Sequence, residues 1–510
     1  MQTDFYTTLE ERGYQNLLRR VEYKPQLFHN YNKMREVFRE IMENPNCKIL
    51  IIGDYDVDGL MYVLETREFL KTLGCDNYVV FPYWRRTHEL DKEAVRYCIQ
   101  NDFDYVLIGD TASSDLATLE EITKYGIKVV VIDHHVCDHS YDDYAEDVTI
   151  INSYIENQIE QCNKYAYSAA ALAYVIYDYF AQEHMLCYNN SISAYALISL
   201  YSDCMDMSNE LNRAIYYRAC YMEREKLPAF VLHFLNEYQA FNARFIGFWY
   251  APRINALFRG ENFALLNEYF FDESITVDRK ARCIEAINEY YKKNRELTKQ
   301  LVDLIDVQEY ENFVIADLMS AVSKNKYLSD KVYNYTGLVA NKLSERYCKT
   351  AIVYCQYNNF YKGSVRDLYG KNYLSIFRHI CYAAGHNSAF GIKINLLDLQ
   401  SFLSKLERID NRYSITTIPN EPIIVQYEYA EPDCALIEDM ALYNEFSGNN
   451  VPVVYLSKKL IGAMPWTRNA YYHRYDWGDY FIQSDYAIEF GTKMLIKPIR
   501  SGRTKLLYQG

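Results

Sequence analysis

Asp54, Asp56 and Asp58 lie within the nine residues IIGDYDVDG, directly behind the apolar run KILII. Taken singly, an aspartate after such a run is a turn residue or a helix cap. Here others join them. YVLIGD ends in Asp110, KVVVID runs into Asp133, His134 and His135, and the helical pattern SAYALISLYSD ends in Asp203, where the helix dipole disfavours a carboxylate. Carboxylates gathered without compensation repel and raise one another's pKa. Divalent cations remove that conflict. Oxygen ligands with one imidazole suit Mn²⁺ or Mg²⁺ better than Zn²⁺, and a shared carboxylate can bridge two ions roughly 4 Å apart.

A cluster of this kind requires that the strand ends converge. From about residue 47 to 152 short β-branched runs alternate with helical patterns: KILIIG and LMYVLETREFLKTLG, NYVVFPY and DKEAVRYCIQN, DYVLIGD and DLATLEEITKYG, then KVVVID and VTIIN. That succession predicts an α/β fold with a doubly wound parallel sheet, in which ligands bind outside the carboxyl ends of the strands. Helical patterns over 167–183 and 191–204 complete a first domain, set at 1–215 and including an N-terminal helical extension.

A mostly helical connector is expected over 216–325, ending in the amphipathic RKARCIEAINEYYKKNRELTKQLVDLID. A second, smaller α/β unit follows at 326–405, with GLVANKLSERY as helix and KTAIVYCQ as strand. From 406 to 510 short runs such as EPIIVQYEYAEP, VPVVYLSKKLIG and MLIKPIR predict a β-rich, OB-like unit.

DYDVDG, Asp110, the DHH of 133–135 and Asp203 resemble the four motifs of the DHH phosphoesterase superfamily. FWYAPRINALFRG (248–260), GSVR (363–366), GHNSAFG (385–391) and YNEFSGNNVPVVYL (443–456) resemble segments of its RecJ-type nucleases, so the likeness runs from about 45 to 460. The resemblance implies that Asp56, Asp58, Asp110, His134 and Asp203 hold two Mn²⁺ or Mg²⁺ ions, with Asp110 as the bridge. It gives Asp54 a supporting place in catalysis and turns His135 toward the scissile phosphate. It makes 326–405 a DHHA1-like substrate-binding domain and assigns substrate contacts to Arg85, Arg253, Asn255, Ser364, Arg366 and His386.

The implied activity is 5′-3′ exonuclease action on single-stranded DNA bearing a 5′-phosphate. Two-metal hydroxide attack would release mononucleotides, in DNA repair or recombination and with a single-strand-binding protein or helicase as a possible partner. Relatives that cleave short oligoribonucleotides or cyclic dinucleotides are the alternative, and an inactive scaffold of a replication or repair complex is a third. Three departures stand out: Ile52 occupies a position where many DHH enzymes carry His, GDTA replaces Asp-Asn-Gly, and Ala384-Gly385-His386 replaces Gly-Gly-His.

Composition narrows the classes further. A net charge of −14 argues against a broad basic face that wraps duplex nucleic acid. No apolar run reaches the ~18 to 20 residues of a membrane span. The start MQTDFYTTLEERGYQNLLRR lacks the pattern of a signal peptide, so a soluble, cytoplasmic monomer is expected. The 13 cysteines include no C-x-x-C pair and read as reduced core thiols. The 52 tyrosines either replace Phe and Leu on half-buried faces or form base-stacking platforms; the first reading is preferred.

Overall fold

The computed structural model describes residues 5–81, 90, 92–237, 239–325, 328, 331–367, 373–386, 388–410, 422–426, 434–448, 451–459, 466–468, 473–477, 480–484, 493–500 and 505–509. These fall into two units. The first takes the residues up to Pro252 and those from 422 onward, and the second takes 253–410.

In the first unit β1 (Ile49–Gly53), β2 (Tyr78–Val80), β3 (Tyr105–Gly109), β4 (Lys128–Asp133) and β5 (Val148–Asn152) form one parallel sheet in the order β2-β1-β3-β4-β5. Chain order reverses at β1, so the carboxyl ends of β1 and β3 flank the switch point where such sheets bind ligands. Every residue of β1 and β5 is buried, as expected of strands covered on both faces. Leu50, Ile52, Val106, Ile108, Val129, Val131 and Ile150 pack against Ala94, Val95 and Cys98 of the Lys92–Gln100 helix and against Leu119 and Ile122 of the Leu116–Thr123 helix. The helices Val57–Thr72, Ala169–Glu183 and Ser193–Ser202 pack on one another, and the first two also contact the sheet.

The C-terminal part of this unit is β-rich. The strands β12 (Ile423–Gln426), β13 (Val454–Lys459), β14 (Trp466–Arg468), β15 (His473–Trp477), β16 (Tyr480–Ser484), β17 (Lys493–Ile499) and β18 (Lys505–Gln509) make a seven-stranded sheet in the order β12-β13-β17-β18-β16-β15-β14. The helix Cys434–Glu445, absent from the sequence reading, joins the parallel pair β12 and β13. At its end Asn444 donates to the carbonyls of Val454 and Pro498 and accepts from the Val454 N–H. The RecJ-like stretch at 443–456 is therefore in part a packing device.

The second unit holds a six-stranded mixed sheet, β10-β11-β9-β8-β7-β6, built from β6 (Val307–Glu309), β7 (Phe313–Asp317), β8 (Thr350–Tyr357), β9 (Phe360–Arg366), β10 (Tyr382–His386) and β11 (Ala389–Asn395). Side chains alternate between its faces: Val314, Ala316, Ala351 and Val353 meet the core that includes Leu301, Val339 and Leu343, while Phe313, Ile315 and Ile352 meet Phe377, Phe402 and Leu406. One boundary needs correction. β6, β7 and the helix Leu318–Lys324 precede residue 326 and were read as connector, yet β7 pairs in parallel with β8 inside this sheet. FVIAD is too short and too uniformly apolar to announce its period behind a 28-residue helix, Val277–Leu304.

Many of the tyrosines are core residues. Tyr31, Tyr62, Tyr167, Tyr174, Tyr177, Tyr216, Tyr250, Tyr269, Tyr373 and Tyr443 are among the largest fully buried side chains. Among the described residues no helix is long and apolar enough to cross a membrane.

Candidate metal centre

The turn from β1 into the Val57–Thr72 helix is held very tight. A Cβ on Gly59 would come within 2.4 Å of Asp54 backbone atoms, so this position admits only glycine. Asp56 caps the helix, its Oδ1 accepting the Gly59 N–H at 3.1 Å. Asp58, in the first turn, accepts from the N–H groups of Ala169 (2.8 Å) and Ala170 (2.9 Å) and from the Ser199 hydroxyl (2.5 Å). Three helices thus fix that carboxylate.

Asp110 follows β3 with φ 66°, and Asp203 ends the Ser193–Ser202 helix. His134 Nε2 lies 3.2 Å from Asp110 Oδ1, 3.2 Å from Asp203 Oδ2 and 3.6 Å from Asp58 Oδ2. Among the described residues three sets have ligand atoms within 4.8 Å of one another: Asp54, Asp56 and Asp110; Asp58, Asp110, His134 and Asp203; and Asp110, His134 and His135. Asp110 belongs to all three.

The electrostatics follow from that crowding. Burial, and then the charges of Asp203, Asp54 and Asp58, push the Asp56 carboxyl well above the ordinary range. Burial followed by Asp58, Asp56 and Asp203 does the same to Asp110. Asp58 is pushed up to about 6 by burial and Asp203, against the lowering effect of His134, Ser199 and the Ala170 N–H. Both oxygens of Asp110 are buried and accept no hydrogen bond among the described residues. A buried carboxylate in that condition is costly unless a cation meets it. The donor set, mostly oxygen with one or two imidazoles, fits hard divalent ions.

Asp133 plays a different part, which the sequence reading did not assign. Its Oδ1 accepts from the His134 N–H (2.7 Å), the His135 N–H (3.2 Å) and His135 Nδ1 (2.8 Å), and its Oδ2 accepts from the Ser113 N–H. Burial opposes its ionisation, but the charge and hydrogen bond of His135 prevail and hold it well below the usual carboxylate range. In return the His135 ring, 41% exposed, is raised to about 10 by Asp133 against the opposing effect of its partial burial. Asn152, at the end of β5, was also missed. It donates to Ser113 Oγ (2.9 Å) and to the His135 carbonyl (3.1 Å), tying β5 to the loop after β4. The strand-end rule that found the aspartates points to this residue too.

The remaining candidates stand elsewhere. Arg253 is buried, with Nε 2.7 Å from Asn288 Oδ1 and its guanidinium 4.6 Å from the Tyr291 ring centre; burial lowers its pKa to about 10. Asn255 lies two residues on, in the helix Ala251–Arg259. Ser364 and Arg366 share one face of β9, and Ser364 Oγ lies 2.8 Å from Thr336 Oγ1. His386 ends β10 opposite Ala389. Arg85 lies outside the described residues.

The DHH family, N-terminal domain, matches residues 48–202. The single-stranded-DNA-specific exonuclease RecJ of Bacillus subtilis is 23% identical over 377 residues, 71% of this chain and 45% of that protein. The Haemophilus influenzae protein of the same name is 20% identical over 69% of this chain and 64% of its own length. The chain therefore spans less than two thirds of either relative. Among solved structures, RecJ in complex with Mn²⁺ from Thermus thermophilus superposes with a TM-score of 0.72 at 15% identity, covering 98% of this chain and 74% of that one. Its complex with Mg²⁺ gives 0.65 at 13% identity, covering 98% and 73%. These likenesses establish a shared fold, and the acidic and histidine groups here are placed to hold metal ions.

Proposed function

We propose that this chain, a DHH-superfamily protein of RecJ type, is a phosphodiesterase that degrades single-stranded DNA from a 5′-phosphorylated end and releases mononucleotides. The observation that carries the reading is the convergence of three ligand sets on Asp110, whose two buried oxygens have no protein donor among the described residues. A scaffold has no use for such a cluster. The curated relatives act on single strands by name, which favours that substrate class over short oligonucleotides.

Asp56, Asp58, Asp110, His134 and Asp203 would hold two Mn²⁺ or Mg²⁺ ions, with Asp110 shared; Asp54, set beside Asp56 and Asp110, would support them. When bound, such ions neutralise the cluster, acidify water and screen the phosphate. The protein's own groups do the rest. Asp58 is locked by three hydrogen bonds and so presents a fixed edge. His135 keeps a proton on the ring that Asp133 orients, which suits donation to a phosphate oxygen. Ser364 and Arg366 would take the terminal 5′-phosphate, since a planar guanidinium pairs with phosphate through two N–H groups. Arg253, Asn255, Arg85 and His386 are read as further substrate contacts, and the unit from β6 to about residue 405 as the DHHA1-like domain that carries Ser364, Arg366 and His386. The reading places the chain in the cytoplasm, as a monomer acting on nucleic acid in repair or recombination.

The test is a time course on single-stranded DNA and RNA, labelled at either end and carrying a 5′-phosphate or 5′-hydroxyl, with and without Mn²⁺. Mononucleotides released from the 5′ end of phosphorylated DNA are expected. Degradation from the 3′ end, or a preference for dinucleotides, would move the chain to the short-substrate relatives; no hydrolysis under any metal would leave the scaffold.

A further inference from the structure

Gly337 sits in the first turn of the helix Thr336–Tyr347, where glycine is a poorer helix former than alanine. It needs no unusual backbone: it is not among the glycines with positive φ. What it supplies is space. A Cβ built there would lie 2.8 Å from Arg366 Nη2, 3.5 Å from Arg366 Cζ and 3.6 Å from Ser364 Oγ. The first of these is closer than real Cβ contacts come, and the atom it meets is the far end of a flexible side chain. The helix would tolerate alanine, and the guanidinium would have to leave.

The neighbouring residue acts in the same direction. Thr336 Oγ1 and Ser364 Oγ share a hydrogen bond at 2.8 Å, so consecutive residues of one turn fix the two β9 side chains. Arg366 is further set by donation from Nη1 to the Val365 carbonyl at 2.9 Å. This arrangement also brings a cation to the positive end of a 12-residue helix, an unfavourable pairing that a bound phosphate would offset.

We infer that Gly337 is a positioning residue for 5′-phosphate recognition: its missing side chain is the seat of the Arg366 guanidinium, and Thr336 orients Ser364 beside it. The inference rests on the reading that Ser364 and Arg366 contact the terminal phosphate.

The experiment compares wild type, Gly337→Ala, Arg366→Ala and the double variant on strands with 5′-phosphate or 5′-hydroxyl, alongside thermal melts. The quantity read is the ratio of kcat/KM for the two ends. Gly337→Ala should lower that ratio on the order of tenfold, the scale of a charge-assisted contact, while its Tm stays level or rises because the helix gains a better former. In the Arg366→Ala background the same substitution should change the ratio little further, since the atom it clashes with is gone and Ser364 Oγ stays at ordinary contact distance. That non-additivity remains readable even if Gly337→Ala proves less stable. A wild-type ratio in folded Gly337→Ala, with Arg366→Ala defective, would overturn the role of Gly337 alone. An unchanged ratio in Arg366→Ala would remove the phosphate assignment itself.

Discussion

At the ends of β1, β3 and β4 and of the Ser193–Ser202 helix, Asp58, Asp110 and Asp203 crowd around His134, and Asp54 and Asp56 join Asp110 in a second set. On β9 a single hydroxyl and a single guanidinium stand two residues apart, against the first turn of a helix. The first region is costly as it stands. Like charges are desolvated together, two backbone positions, Asp110 and Ala112, sit at φ 66° and 77°, and the buried Asp110 oxygens accept no hydrogen bond among the described residues. The second region costs far less: regular strand, one hydrogen-bonded hydroxyl pair, one accommodating glycine, and a single guanidinium facing the positive end of a helix. Strain and repulsion concentrate where ions would be bound, whereas recognition of an anion needs little more than a seat.

The largest effect expected from this contrast is at Asp110. Asp110→Asn should abolish hydrolysis, because all three ligand sets use that carboxylate. It should also raise the Tm of the metal-free protein, by roughly 2–4 °C for each kcal/mol of repulsion removed. Ser364→Ala should leave that Tm nearly unchanged. An active Asp110→Asn protein, or one whose metal-free form melts lower, would break the comparison.

Next comes pH. Asp56, Asp58 and Asp110 have folded-state pKa values above the ordinary carboxylate value, so the native metal-free protein binds protons that the unfolded chain releases. Stability should therefore fall as pH rises from about 4.5 to 6.5, spanning the Asp58 value of about 6. The Asp133–His135 pair does not mask this. Asp133 is depressed, so its contribution is complete above the ordinary carboxylate pKa, and His135 is raised, so its contribution is complete below the ordinary histidine value. With Mn²⁺ present the slope should reverse, because ions compete with protons for the same oxygens. Thermal melts at both pH values, with and without Mn²⁺, read the sign directly; parallel slopes would refute it.

A smaller change follows from Asp133→Asn. Without that carboxylate the His135 pKa should drop from about 10 toward the ordinary histidine value. An NMR titration of the metal-free protein measures it, and an unmoved His135 would show that Asp133 does not hold the proton.

The aspartates and the parallel sheet were legible because strand-end polarity and β-branched runs leave a periodic trace, as KVVVID before His134 does. Asp133 and Asn152 were harder to assign, since both meet at Ser113, 20 and 39 residues away in sequence, a convergence that no local pattern announces. β7 was hidden by its shortness. Gly337 was invisible for another reason: nothing in TGLVANKLSERY indicates that an arginine 29 positions later needs its missing Cβ.

The smallest effect tests whether the metal loop stores backbone strain. Ala112 and Ala94 belong to the same core cluster at 5% and 4% exposure, but Ala94 lies in the helix Lys92–Gln100 and Ala112 is at φ 77°. Replacing either by glycine removes one buried methyl and loosens the unfolded chain, so those costs are common to both. They differ in the backbone. At Ala94 the helix propensity that glycine loses is mostly that same backbone entropy, whereas at Ala112 glycine also relieves a left-handed conformation that costs an L-residue about 1–2 kcal/mol. Ala112→Gly should therefore come out about 1–2 kcal/mol better than Ala94→Gly in urea unfolding of the metal-free protein. Equal losses at the two positions would mean that the turn after β3 carries no strain, and that the cost of the metal region is electrostatic alone.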